Sequence, residues 1–404
     1  MKKRAALLLL AVAILLALAG CHAPAVPTEP QPTATLEPAA TEETPAPEPE
    51  PQPEPKEVPP PQPDTMPGNK AHARVTVMAH PLIYSSVTVD GEPYFALQDL
   101  AEVLAGEVTL DGATVTLTWA EGSVEIRAKS GIWFSDTASG ILPGGVYRSG
   151  ELLFAPLALL EDVLGLTCTA SEDGNTLYYY EAASWDIPKG YSVPVLMYHA
   201  VSDETWGVTE LFVRPSEMEA QLQYLQENGF TPIFFSDLSH VEDFEKPVLL
   251  TFDDGYKNNY EELFPLLQKY NMKATIFVVT GNLDKNPNFL TWDQAREMVQ
   301  SGLVAIESHT VTHPDLDVQS RERQLQELEE SQAKILEEIG IPSQVLCFPT
   351  GKYNQTTLAL MEGRYEIGLL MDSGGYITGS DPFRIPRWYV SRYTTLGSFA
   401  YLVK

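Results

Sequence analysis

Cysteine is scarce, at three in 404 residues. With Cys21 set apart at the end of an N-terminal apolar run, only Cys168 and Cys347 remain, in different units of the chain. No disulfide framework is therefore expected, and both are read as buried free thiols. Basic residues are equally short: 26 Lys and Arg stand against 55 Asp and Glu, a formal net charge of −29. Phosphate binding needs basic patches, so nucleic acid is excluded as a partner, and anionic lipid exerts no attraction on such a chain. Long apolar runs are missing too, except over residues 5–19, which is short for a membrane span.

What is present begins with that run. Lys2, Lys3 and Arg4 precede it and Leu18-Ala19-Gly20-Cys21 closes it, so residues 1–20 read as an export signal. The closing residues resemble the bacterial lipobox, which implies a lipid on Cys21 and a mature chain at the extracellular face of the cytoplasmic membrane. An ordinary signal peptide with a chance cysteine, or an uncleaved anchor, is the alternative. Residues 21–70 hold half of the 32 prolines, with Glu, Thr and Ala between them and almost no aromatic residue. Proline removes amide donors and like charges repel, so this stretch reads as a disordered, extended tether. At ~3.1 Å per residue it would reach on the order of 100 Å, into a cell wall.

Residues 71–185 carry an internal echo. Gly91-Glu92-Pro93-Tyr94-Phe95-Ala96, then Leu100 and Val103-Leu104, is matched by Gly150-Glu151-Leu152-Leu153-Phe154-Ala155, then Leu159 and Val163-Leu164. Each half predicts a short strand, a helix of roughly ten residues and a hairpin at an Asp-Gly turn. The pattern resembles the small duplicated domain named after the N-terminal region of copper amine oxidases. It holds no His or Cys cluster, so a spacer or wall-binding role is expected rather than chemistry.

From residue 186 to 404, strand-like runs at 193–198, 231–235, 248–252, 274–279, 304–306 and 344–348 alternate with amphipathic stretches at 216–228, 260–270, 292–301 and 320–339. Alternation at this spacing predicts a parallel sheet in one barrel-like α/β domain. Functional residues of such folds gather at the carboxyl ends of strands, where Asp253, Asp254, His309 and His199 fall.

Thr251-Phe252-Asp253-Asp254-Gly255 ends one apolar run, and His309-Thr310-Val311-Thr312-His313-Pro314 follows another. Two histidines four apart can aim at one point, and Asp254 supplies a third ligand with positions left for water. N/N/O ligation suits Zn²⁺, with Co, Ni or Mn compatible. Successive residues leaving a strand point in different directions, so Asp253 is free to face a water and act as general base. A plain Asp-Asp-Gly turn and a solvated histidine pair are the bland alternatives.

These motifs resemble the first two of the NodB-type polysaccharide deacetylases, carbohydrate esterase family four. Phe348-Pro349-Thr350-Gly351-Lys352-Tyr353-Asn354 resembles the third, which lines the groove and offers a backbone N–H to the oxyanion, the Thr350 amide here. The resemblance implies a deformed (β/α) barrel, a divalent metal on Asp254, His309 and His313, Asp253 as base, and a substrate- and oxyanion-facing set of Phe348, Pro349, Thr350, Gly351 and Tyr353. Two departures matter. No histidine follows His313, so the family's last motif is absent. The opening Pro194-Val195-Leu196-Met197-Tyr198-His199 instead resembles the poly-N-acetylglucosamine deacetylase branch, which implies His199 as the acid. Thr350 also stands where an aromatic residue is typical. The arginine that orients the base has no counterpart before the third motif, and Arg387 is the candidate substitute. The expected activity is N-deacetylation of peptidoglycan or poly-N-acetylglucosamine. An O-acetyl esterase of the xylan type and a non-catalytic glycan-binding protein are the alternatives; the sequence leaves the oligomeric state open.

Overall fold

A computed structural model describes residues 56–57, 74–83, 87–89, 92–171 and 173–404. The expected export signal, Cys21 and nearly all of the expected tether lie outside the described residues.

The N-terminal domain is built from two similar halves. Glu92–Ala96 runs into a helix at Leu97–Val103 and then the hairpin Glu107–Asp111 with Thr114–Trp119. Leu152–Pro156 runs into a helix at Ala158–Asp162 and then the hairpin Thr167–Ala170 with Thr176–Tyr180. The leading strands of the two halves pair antiparallel, with Phe95 opposite Ala155 and Ala96 opposite Phe154. Equivalent residues thus exchange partners, the signature of a local two-fold axis. Both helices are shorter than the ten residues expected. Ala105 and Gly165 adopt left-handed conformations that end them. Cys168 is half-buried rather than buried. Leu100, Leu117, Ile126, Leu153 and Leu160 sit in this domain's own core.

The C-terminal domain is a curled parallel sheet. In spatial order its strands are Ile367–Leu369, Val345–Cys347, Val304–Ser308, Ala274–Val278, Pro247–Phe252, Val195–Tyr198 and Trp388–Tyr389, with the short Thr231–Pro232 beside Pro247–Phe252. Every pairing along this path is parallel. The curl brings the two edges to a shared segment, since Ile385 bridges to Leu369 while Trp388 and Tyr389 pair with Leu196 and Met197. Strand Pro247–Phe252 is buried at all six positions, as expected where both faces are covered. Val248, Leu250 and Phe252 pack outward toward helices in one cluster, whereas Leu249 packs inward with Val195, Phe277, Val345 and Ile385. Because side chains alternate, Asp253 follows Leu249 and Thr251 onto the inner face.

Element ends moved where local chemistry required it. The strand expected over 231–235 pairs only at Thr231–Pro232 and then bends into a 3-10 segment at Ser236–Asp243, since Pro232 has no N–H to extend a ladder. The helix expected over 260–270 starts as a π turn at Asn259–Leu263 before Phe264–Tyr270.

Candidate active site

The site is assembled at the carboxyl ends of the parallel strands. Asp253 is 2 % exposed, and Arg387 grips it with two hydrogen bonds of 2.7 Å. The same guanidinium donates to Leu370 O at 2.9 Å, Thr251 Oγ1 at 3.0 Å and Cys347 Sγ at 3.2 Å. Burial opposes ionisation of Asp253, but the Arg387 charge outweighs it and holds the carboxyl well below the usual range. Burial likewise opposes the charge on Arg387, and Asp253 more than restores it. Arg387 and Asp253 therefore form a tightly ionised pair across the lumen, and Arg387 reaches it from the segment that joins the two sheet edges.

One residue further on, the chain reverses. Asp254 and Gly255 both take left-handed backbone (φ 74° each). A Cβ on Gly255 would meet Val278 Cγ1 at 3.0 Å, so only glycine sits there without strain. The reversal turns the Asp254 carboxylate away from its neighbour and toward the histidines. Its Oδ1 lies 3.6 Å from His309 Nε2 and 3.6 Å from His313 Nε2.

Among the described residues, two groups of three donors have ligand atoms within 4.8 Å of one another: Asp254, His309 and His313, and Asp253, His309 and Cys347. The second set is already committed. Asp253 is held by Arg387, and burial pushes the Cys347 thiol well above its ordinary pKa, so it stays protonated. The first set fits a divalent ion. His309 Nδ1 is hydrogen-bonded to Cys347 O at 2.7 Å, which directs the Nε2 lone pair toward Asp254. Burial also lowers the His309 pKa to about 4, so the ring is neutral and ready to ligate at ordinary pH.

His199 ends strand Val195–Tyr198 on the inner face, 8 % exposed, with Nε2 4.0 Å from Asp253 Oδ2. Its ring stands edge-on to Tyr389 at 6.2 Å. The structure thus gathers Asp253, Asp254, His199, His309, His313 and Arg387 around one point, although Asp253 and Arg387 lie 134 residues apart in sequence.

The third motif divides. Thr350 is exposed, left-handed (φ 54°), and donates from Oγ1 to Asp315 at 2.6 Å. Gly351 and Tyr353 are half-buried beside it. Phe348 and Pro349 do not face a groove: Phe348 is fully buried among Leu346, Leu360 and Met361, stacked on Tyr353 at 4.9 Å. Phe348 thus packs in the core behind the loop, and Pro349 is buried next to it.

Two residues that the sequence did not signal also shape the site. Cys347 bridges the ion pair, its Sγ 3.5 Å from Asp253 Oδ2. Glu327, fully buried on helix Arg321–Ile339, receives the Val311 and Thr312 amides at 2.8 Å each. Neither lies in a spaced motif, and a mid-helix glutamate in an acid-rich helix gives no local sign that it points inward.

Comparison with known proteins agrees with this geometry. The polysaccharide deacetylase family pattern matches residues 240–363. The Bacillus subtilis protein YxkH, provisionally named a polysaccharide deacetylase, is 33 % identical over 209 residues, covering 50 % of this chain and 73 % of YxkH. The poly-beta-1,6-N-acetyl-D-glucosamine N-deacetylase of Escherichia coli strain K12 is 32 % identical over 134 residues, 28 % of this chain but only 20 % of that enzyme's length. Among solved structures, the Streptococcus pyogenes deacetylase PplD in complex with acetate superposes with a TM-score of 0.50 at 25 % identity, covering 53 % of this chain and 99 % of PplD.

Proposed function

Because the chain belongs to the polysaccharide deacetylase family, we propose that it removes N-acetyl groups from an extracellular glycan, poly-N-acetylglucosamine or peptidoglycan, and releases acetate. The observation that carries this reading is the division of two adjacent carboxylates between two tasks. Asp253 faces Arg387 and His199, and Asp254 faces His309 and His313.

Asp254, His309 and His313 would hold the divalent cation, Zn²⁺ by donor type, whose charge acidifies a water and polarises the acetamide carbonyl. Asp253, kept ionised by Arg387, accepts the proton of the attacking water. The Thr350 N–H is assigned to the carbonyl oxygen as it turns negative. His199 gives its proton to the nitrogen as the C–N bond breaks, so that water and amide become acetate and a free amine. The similarity to a named poly-beta-1,6-N-acetyl-D-glucosamine N-deacetylase supports the substrate class. The lipobox-like Leu18-Ala19-Gly20-Cys21 and the proline-rich tether support a lipid-anchored enzyme working in the cell wall. On this reading residues 71–185 act as a spacer or wall-binding unit.

Acetate release from β-1,6-N-acetylglucosamine oligomers, peptidoglycan, chitin oligomers and acetylated xylan, with Zn²⁺ supplied, tests the proposal. Release from an N-acetylated glycan that Asp253→Asn abolishes is the expected result. Release from xylan alone would assign an O-acetyl esterase. No release from any of them, with glycan binding intact in Asp253→Asn, would leave a non-catalytic binding protein.

A further inference from the structure

The loop that joins the two histidines is held in an unfavourable shape. Thr310 and His313 both adopt left-handed backbone, at φ 67° and 57°. Neither is glycine, and Thr310 is β-branched, the side-chain type least suited to that region. Such a conformation persists only where surrounding groups over-determine it. Here one buried carboxylate takes three of the loop's hydrogen bonds, beside those that Thr280 and Gly281 donate to Thr310 O and Val311 O. Glu327 Oε2 receives the Val311 N–H and the Thr312 N–H, both at 2.8 Å, while Oε1 receives the Thr312 hydroxyl and the Arg323 guanidinium. Arg323 in turn donates to Thr312 Oγ1 at 3.1 Å. All of this comes from a helix that buries three polar residues, Gln324, Glu327 and Ser331, alongside Leu328, Ile335 and Ile339. Ser331 meets Ser308 Oγ at 2.8 Å, and Ser308 Oγ accepts the Thr310 N–H at 3.1 Å. A buried carboxylate with four donors converging from one loop and one arginine exceeds what packing a helix requires.

We propose that Glu327 is a positioning residue for the metal centre: seated by Arg323, it clamps the Thr310–His313 loop so that both imidazoles aim at Asp254. It touches neither the ligand atoms nor the reacting groups, and it acts through the backbone of Val311 and Thr312. The inference rests on the proposed metal reading of Asp254, His309 and His313. Its consequence is that metal affinity depends on a side chain from a different element, one the ligand motif does not contain.

The test compares Zn²⁺ affinity, by competition with a chromophoric chelator, in the full chain and in Glu327→Gln, Glu327→Ala and Gln324→Ala, together with thermal unfolding of each in EDTA. Gln324 is a buried polar residue of the same helix whose bonds go to Gln319 and Thr357 instead of the histidine loop. The expected result is a roughly 10–100-fold loss of affinity in both Glu327 variants, the scale of outer-shell substitutions at metal sites. Gln324→Ala should bind Zn²⁺ as the parent does, whatever its metal-free melting temperature. Parent-like affinity in Glu327→Gln, or an equal loss in Gln324→Ala, would overturn the proposal. Failure of the parent chain to bind Zn²⁺ would instead overturn the metal reading beneath it.

Discussion

Arg387 commits all five of its N–H groups to buried partners, and two of the five fix the Asp253 carboxylate. Its replacement by methionine leaves that carboxylate buried without a counter-charge. The loss of one partner from such a pair costs ~3–5 kcal/mol, to be seen as a lowered midpoint in urea unfolding together with loss of acetate release. His199 permits a sharper test of role. His199→Ala should slow amide hydrolysis by ~10²–10⁴-fold, the usual weight of a general acid. An activated aryl acetate, whose leaving group needs no proton, should lose far less in the same variant. Equal losses on both substrates would make His199 a packing residue. At this scale the sequence was readable where residue type and spacing were both constrained. Two carboxylates at a strand end and two histidines four apart mark a candidate metal centre, and the structure brings Asp254, His309 and His313 together. Arg387 could be named only as a substitute, because nothing local marks an arginine that works on a residue far up the chain. Glu327 gave no signal, and Cys347 was readable only as a buried free thiol, since their places at the site arise from packing.

At the scale of elements, the site depends on turns that only particular residues allow. Gly281 follows strand Ala274–Val278, and a Cβ there would stand 2.4 Å from Val311 O, the same carbonyl that accepts the Gly281 N–H at 2.9 Å. Gly281→Ala must therefore push the histidine loop outward. A strain of ~1–3 kcal/mol is expected from such overpacking, measurable as a drop in melting temperature along with weaker Zn²⁺ binding. The helix that carries Glu327 begins at Ser320, whose hydroxyl caps the Arg323 N–H at 3.2 Å. Ser320→Ala should cost ~1 kcal/mol in unfolding free energy. The strands and helices named from apolar periodicity exist, and most of their ends fell within a residue or two of expectation. The helices Gln355–Met361 and Leu396–Leu402 and the edge strands Ile367–Leu369 and Trp388–Tyr389 were not anticipated, being too short to show a period. The strand over 231–235 stops early at Pro232, which has no N–H for the ladder, and the helix over 260–270 opens as a π turn at Asn259–Leu263, neither of which periodicity encodes.

Across the whole molecule, the apolar clusters of the described residues divide by domain, two within the N-terminal domain and three within the curled sheet and its helices. Only Ala79 of the N-terminal domain joins one of the latter. The domains meet around Ala79, which packs into the sheet domain's apolar cluster, and the Gly340 turn beside Thr76 and Tyr178. Gln300 Nε2 donates to Ala79 O at 3.0 Å, and Tyr178 donates to Glu337 O at 3.4 Å. A chain beginning at residue 186 should consequently fold and release acetate from short oligomers, checked by circular dichroism and an acetate assay. Chelation should act on the sheet domain alone. Saturating Zn²⁺ at about 100 times its dissociation constant adds ~2.7 kcal/mol, so EDTA should lower one calorimetric transition and leave the other in place. The duplication was legible from its repeated residues, but its two-fold pairing was not, because sequence similarity carries no information about which strands meet.

The segment that closes the sheet has a consequence in time. Synthesis proceeds from the amino end, so Asp253 is made 134 residues before Arg387. At ~5–20 residues per second that is roughly ten seconds. Through that interval the carboxylate has no guanidinium to receive it, although the apolar partners of its strand, Val195, Phe277 and Val345, are already made. The Asp253–Arg387 pair and the closed sheet thus come into being together, and a chain interrupted before Arg387 should carry Asp254, His309 and His313 yet leave Asp253 without its counter-charge.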